Sequence, residues 1–197
     1  MAIELLYNDD HIAVCIKPVG LDSEHDMPRC LSEALGGVIL PVHRLDKHVS
    51  GVMVYARTKA AAALLSKAIQ SGEMVKEYIA LVHGLIPEQG IWEDLLWKDV
   101  SKNKVFVVKR MRGGVKAAKL SFNRIDIRGD CSLARIRLYT GRSHQIRAQF
   151  SSRGYPLVGD HKYGSKSEEC VPKLYSCSIS FPYNGIIRTF TSNPDWM

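Results

Sequence analysis

The stretch HRLDKHVSGVMVY, His43 to Tyr55, sets a chargeable cluster directly before an apolar run. Gly51 to Tyr55 is rich in β-branched and aromatic residues, which predicts a buried strand. His43, Arg44 and Asp46 stand between that strand and the apolar residues before them. Such a cluster either lines a cleft or caps a turn, with Asp46 as the cap and Arg44 as its partner. On the other side of the strand, Thr58 offers an N-cap and KAAAALLSKAIQ follows, with Gly72 placed as a C-cap glycine. A helix over 58–71 is predicted, with Leu64, Leu65, Ala68 and Ile69 as its apolar face.

Working outward, Ile3 to Tyr7 and Ile12 to Lys17 read as strands around the Asn8-Asp9-Asp10 turn. Leu31 to Leu35 reads as a short helix ending at Gly36-Gly37. Val75 to Val82 alternates as a strand does. Gly84 to Asn103 shows no regular period. Val105 to Lys109, Ala118 to Ile127 and Leu133 to Tyr139 are further strands. Ser178 to Phe181 and Ile186 to Thr191 form a hairpin around Asn184-Gly185, a strong turn dipeptide. The expectation is one α+β domain over 1–197, with a mixed, mostly antiparallel sheet, flanking helices and a central cleft.

The composition narrows the partners. The chain has 197 residues and a formal net charge of +7, from 27 Lys and Arg against 20 Asp and Glu. A basic balance attracts polyanions, and its spread along the chain fits a folded basic surface better than a basic tail. The 5 cysteines include no C-x-x-C, so neither a zinc knuckle nor a disulfide framework is suggested. Reduced thiols in a cytoplasm are the simple reading. No apolar run approaches membrane-spanning length. No P-loop, dinucleotide fingerprint or metal-ligand spacing is present, which suits a reaction that needs no metal and no cofactor.

A second cluster is Gly141-Arg142-Ser143-His144-Gln145-Ile146-Arg147. A helix opened by Ser143 would carry Arg142 and Arg147 beside its free N–H groups, an arrangement that attracts anions. The same residues also suit an amphipathic surface helix with Ile146 and Phe150 packed at i, i+4. The second glycine of a serine-hydrolase elbow is missing.

Five segments in order resemble the RluA-type pseudouridine synthases. HRLDKHVSG resembles the family's H-R-L-D-x-x-T-S-G. KEYIALVHG (Lys76 to Gly84), GRSHQIR (Gly141 to Arg147), YPLVGDHKYG (Tyr155 to Gly164) and LYSCSISFPY (Leu174 to Tyr183) are similar to its later motifs. The resemblance implies that Asp46 is the catalytic aspartate, Tyr78 the tyrosine that stacks on the target uracil, and Arg147 the basic residue that pairs with the aspartate. It implies that Arg44 fills the space left by a flipped nucleotide. His43, Lys76, Arg142, His144 and Gln145 are the further RNA-binding candidates. Val49, Tyr175 and Gln149 depart from the family pattern at positions where threonine, histidine and histidine are common.

The implied activity is isomerisation of uridine in transfer or ribosomal RNA. The uridine must be flipped out at a cost of a few kcal/mol. Stacking on Tyr78 would return roughly 1–3 kcal/mol. A binding-only RNA module on the same fold is the alternative, and a carboxylate-dependent nucleoside glycosidase a more distant one. The family pattern begins close to the first residue, so no N-terminal RNA-binding appendage is expected. A monomer is the default.

Overall fold

A computed structural model describes residues 3–197. In chain order the elements are β1 (Leu5–Asn8), β2 (Ile12–Lys17), α1 (Asp26–Leu35), β3 (Leu40–Pro41), β4 (Ser50–Ala56), α2 (Lys59–Gln70) and β5 (Val75–His83). Then come β6 (Gln89–Asp99), β7 (Lys104–Val108), β8 (Val115–Arg128), β9 (Cys131–Leu138), α3 (Gln145–Ser151), a 3-10 turn (His161–Tyr163), β10 (Leu174–Tyr183) and β11 (Ile186–Thr191). The α+β class expected from the sequence is the class observed. Contacts divide the chain into two compact units, one running up to Lys76 and resuming at Tyr175, the other spanning Glu77–Leu174. None of the described helices is long and apolar enough to cross a membrane.

In the first unit the strand order is β1-β2-β4-β10, with β3 on β4 and β11 on β10. All these pairs are antiparallel except β4 with β10. Strand β4 has neighbours on both sides, and Gly51 to Ala56 are all buried. That is why its sequence is continuously apolar. Gly51 sits at φ 122° opposite Ser176, and a Cβ there would overlap the Ser176 backbone, so only glycine fits. Thr58 caps α2 by accepting from the Ala61 amide at 3.1 Å. Ala61, Leu65 and Ala68 enter the core beside Val14, Val54, Ile179 and Phe181. Burial of Leu65 stabilises by about 2 kcal/mol. Leu64, expected on the apolar face, is 66% exposed instead. The buried stripe runs through Ala61, one turn earlier on the neighbouring row.

Helix α1 begins at Asp26, five residues before the predicted start. Pro28 conceals this beginning. It lies in the first turn, where its missing N–H costs nothing.

Asp9 ties this unit's edge together. Its Oδ1 accepts from the His11 and Ile12 amides, and its Oδ2 from the hydroxyls of Tyr7 (2.8 Å) and Tyr183 (2.6 Å). Burial pushes the Asp9 carboxyl up, but the bonds from Tyr183 and the two amides outweigh it and hold the pKa at about 2, below the ordinary 3.8. A depressed carboxylate contributes stability above its unfolded pKa and loses it as pH falls through the folded one. Asp9→Asn is therefore expected to lower the melting temperature at neutral pH. The gap from wild type should close between about pH 4 and pH 2 in paired thermal melts. A gap that stays constant down to pH 2 would contradict this.

The second unit holds the sheet order β5-β9-β8-β6-β7, in which β9-β8, β8-β6 and β6-β7 are antiparallel pairs. Helix α3 lies on one face, where Trp92, Phe122 and Phe150 form an aromatic cluster with centroids 4.4–5.7 Å apart. Leu96, Val105 and Ala118 meet Ala148 and Tyr163 on that face. The region 84–103, expected to be irregular, holds the long strand β6. Its alternation is masked because polar residues lie on both faces: Glu93 pairs with Lys119 at 2.7 Å, and Asp94 takes Arg153 at 2.8 Å and Gln149 at 2.7 Å. The Asn184-Gly185 turn is as expected, with φ of 52° and 78°.

Candidate active site

Asp46 lies in the loop between β3 and β4. The backbone on both sides of it is fixed by two buried polar side chains that the sequence did not single out. Ser23, 1% exposed, donates to the Leu45 carbonyl at 2.9 Å and accepts from the Leu45 amide at 3.2 Å. Tyr55 holds Ser23 in turn, donating to its carbonyl at 3.0 Å. Lys17 is wholly buried at the end of β2. Its ammonium donates to the carbonyls of Pro18 (2.8 Å), Leu21 (2.9 Å) and Lys47 (3.3 Å). The Val49 amide closes a turn on the Asp46 carbonyl at 2.9 Å. The loop is thus immobilised at Leu45, Lys47 and Val49, with the half-buried Asp46 between them.

Burial pushes the Lys17 pKa down to about 8, against the pull of Asp22, Asp46 and Asp26. The ammonium remains charged at neutral pH, so Asp46 has a fixed cation in its surroundings. A readable signal existed for Lys17. Both faces of IAVCIK are apolar, so the strand is central and its terminal lysine must be inside.

His43 accepts from the Val54 amide through Nε2 at 3.2 Å. Burial, with Lys76 nearby, pushes its pKa down to about 3. The ring is therefore neutral, with its proton on Nδ1. Burial also lowers the Lys76 pKa. Arg44 is exposed and lies 3.4 Å from Glu24.

In the second unit, Tyr78 is a buried residue of β5. Arg147 is 6% exposed on α3 and makes a bidentate pair with Asp160, Nε to Oδ2 at 2.6 Å and Nη2 to Oδ1 at 2.8 Å. Its guanidinium also lies over the Tyr163 ring, 4.9 Å from the centroid. The Tyr163 hydroxyl is 2.9 Å from His144 Nδ1 and accepts from the Val105 amide at 2.8 Å. His144 and Arg147 are thus gathered around one tyrosine, with Asp160 fixing the guanidinium plane. Asp160 and Tyr163 were within the GDHKYG segment, but nothing in their spacing marked them as partners of Arg147.

The opening of α3 differs from expectation. Ser143 is not its cap. His144 occupies that position in the left-handed region (φ 49°), and no side chain caps the helix. Residues 145–150 are all buried. Gln145 braces the preceding loop. It accepts from Thr140 (2.8 Å) and the Arg142 amide (3.0 Å) and donates to the Lys119 carbonyl (3.1 Å). Arg142 is exposed, with Nε donating to the Ala117 carbonyl at 2.9 Å.

Residues 11–152 match the family model of RNA pseudouridylate synthases. The dual-specificity RNA pseudouridine synthase RluA of Escherichia coli K12 is 33% identical over 98% of this chain and 93% of its own length. The mitochondrial tRNA pseudouridine(32) synthase of Saccharomyces cerevisiae is 32% identical over 83% of this chain, and an uncharacterized RNA pseudouridine synthase of Aquifex aeolicus is 32% identical over 92%. The chain spans 37% of the yeast protein's length and 64% of the Aquifex one's. The solved structure of human RNA pseudouridylate synthase domain containing 1 superposes with a TM-score of 0.86 at 20% identity, covering 100% of this chain and 85% of that one. The fold, the ordered motifs and these matches together make the chain a member of the RNA pseudouridine synthase family, of the RluA type.

Proposed function

We propose that this chain isomerises uridine to pseudouridine in structured RNA, transfer or ribosomal, with Asp46 as the nucleophile. The observation that carries the reading is the immobilised loop: Asp46 stands between backbone groups locked by Ser23 and Lys17. A nucleophile held this way loses little freedom when substrate arrives. Its carboxylate attacks the sugar or the base transiently. The bond from uracil nitrogen one to ribose breaks, and carbon five bonds to the same ribose carbon. Carbon five then gives up its hydrogen as a proton, and nitrogen one gains one. No redox partner and no cofactor enter this balance.

Tyr78 stacks on the flipped uracil, Arg147 pairs with the carboxylate, and Arg44 fills the vacated stack. His43, Lys76, Arg142 and His144 contribute contacts to the RNA. The protein acts as a monomer. The described cysteines are all free thiols, which supports a reducing compartment such as the cytoplasm.

The loss of the carbon-five hydrogen supplies the test. RNA carrying tritium at uracil carbon five should release the label with wild type. Asp46→Asn should release none while keeping its RNA affinity. Release by that variant at a rate near wild type would refute the role of Asp46.

A further inference from the structure

We propose that the face of the β6–β9 sheet opposite α3 is a docking platform for single-stranded RNA. The proposal deepens the reading of the chain as an RNA enzyme and rests on it.

Strand register defines the face. Leu96, Val105, Ala118 and Phe122 point to α3. Their neighbours point away. Trp97 is opposite Phe106 on β7 and Val115 on β8, and Ser121 is opposite Arg137 on β9. Cross-strand partners share a face, so Trp97, Phe106, Lys119 and Arg137 stand together on the side that α3 does not cover. Tyr139 follows at the end of β9 and is 48% exposed.

The chemistry on this face is not that of an ordinary solvated sheet. Trp97 and Phe106 stack with centroids 6.3 Å apart and planes 30° apart. The Arg112 guanidinium lies 5.1 Å from the Trp97 centroid. Around Tyr139, Arg137 is at 5.2 Å and Lys119 at 5.7 Å. Two aromatic groups therefore each carry a cation at the ring. Along β8 the two groups are four residues apart, from Val115 beside Trp97 to Lys119 beside Tyr139. At 3.3 Å per residue that is about 13 Å.

The charge says which partner fits. Residues 98–119 hold eight Lys and Arg against Asp99 alone; of the eight, Lys98 and Lys116 lie on the α3 side and Lys119 is shared with Glu93 at 2.7 Å. A polyanion with planar rings matches both features: bases stack on exposed aromatics and guanidinium planes, while the remaining cations meet phosphates. The contact is independent of sequence and weakens with salt.

A short fluorescent single-stranded oligouridine tests this by anisotropy, with Tyr139→Ala and Arg137→Glu in the full chain. Each variant should melt as wild type does and lose affinity by about tenfold, in line with the loss of one stacked base or its cation. Ultraviolet crosslinks of wild type should map to the segments holding Trp97 and Tyr139. Unchanged affinity in both variants overturns the platform, including the case where the face takes a protein partner instead. Label release from uracil carbon five, followed in the same preparations on a minimal stem-loop, reports the activity separately. Wild type that binds at this face but releases no label would defeat the proposed function and leave the platform standing. Normal release with unaltered binding in the variants would do the reverse.

Discussion

Asp160→Ala is expected to lower the unfolding free energy by about 3–5 kcal/mol, because it takes both short charge-assisted bonds of Asp160 from the buried Arg147 guanidinium. The pair is made for this outcome: Asp160 is 1% exposed, Arg147 6%, and both bonds are short. Chemical denaturation of wild type and variant measures the loss. A drop below about 1 kcal/mol would mean that the guanidinium finds water on its own, as an exposed pair does. The double variant Arg147→Met with Asp160→Leu separates stability from activity. Apolar residues of similar size often replace a buried ion pair at little cost. The double variant should therefore regain most of the lost stability while making no pseudouridine. Normal activity in it would remove Arg147 from the proposed chemistry.

The second large effect is expected at Lys17. Methionine there keeps the length of the side chain but has no donor, so the carbonyls of Pro18, Leu21 and Lys47 lose theirs at once. The relief of burying one charge less offsets part of that loss. A net destabilisation of about 2–4 kcal/mol follows. The Lys47 carbonyl is adjacent to Asp46, so kcat should fall further than the KM rises. The pH dependence has a definite sign. Lys17 has a pKa of about 8 in the folded chain against an ordinary 10.5, so between these values the folded chain binds fewer protons than the unfolded one. Wild type then gains stability as pH rises through that window, and its margin over Lys17→Met widens. A margin that narrows instead would show that the ammonium, once deprotonated, cannot hold the carbonyls.

These two residues also show what was legible beforehand. Asp46, Tyr78 and Arg147 were singled out through their motifs, since short ordered segments carry family resemblance well. Lys17, Ser23 and Asp160 were not. Ser23 and Asp160 act on groups distant in sequence, a pairing that leaves no periodic trace, whereas Lys17 binds two local carbonyls, Pro18 and Leu21, besides that of Lys47. Helix α2 was readable because Thr58, the apolar stripe and Gly72 agree. The first half of α1 was hidden by Pro28, and β6 by Glu93 and Asp94, which lie on opposite faces of the strand and pair with Lys119 and Arg153. The cap of α3 was misassigned because Ser143 is a good capping residue by type. The bond network of Gln145 shifted the start by one residue and put His144 at positive φ.

Isomerisation leaves the mass and charge of the RNA unchanged, so the product must be located by chemistry specific to its carbon–carbon glycosidic bond. The most direct measurement is a pseudouridine site map of unmodified RNA incubated with wild type and, in parallel, with Asp46→Asn. New pseudouridine at discrete positions with wild type, and at none with the variant, is the expected result. The same positions modified by both proteins, or by neither while the RNA is tightly bound, would contradict an aspartate-dependent synthase.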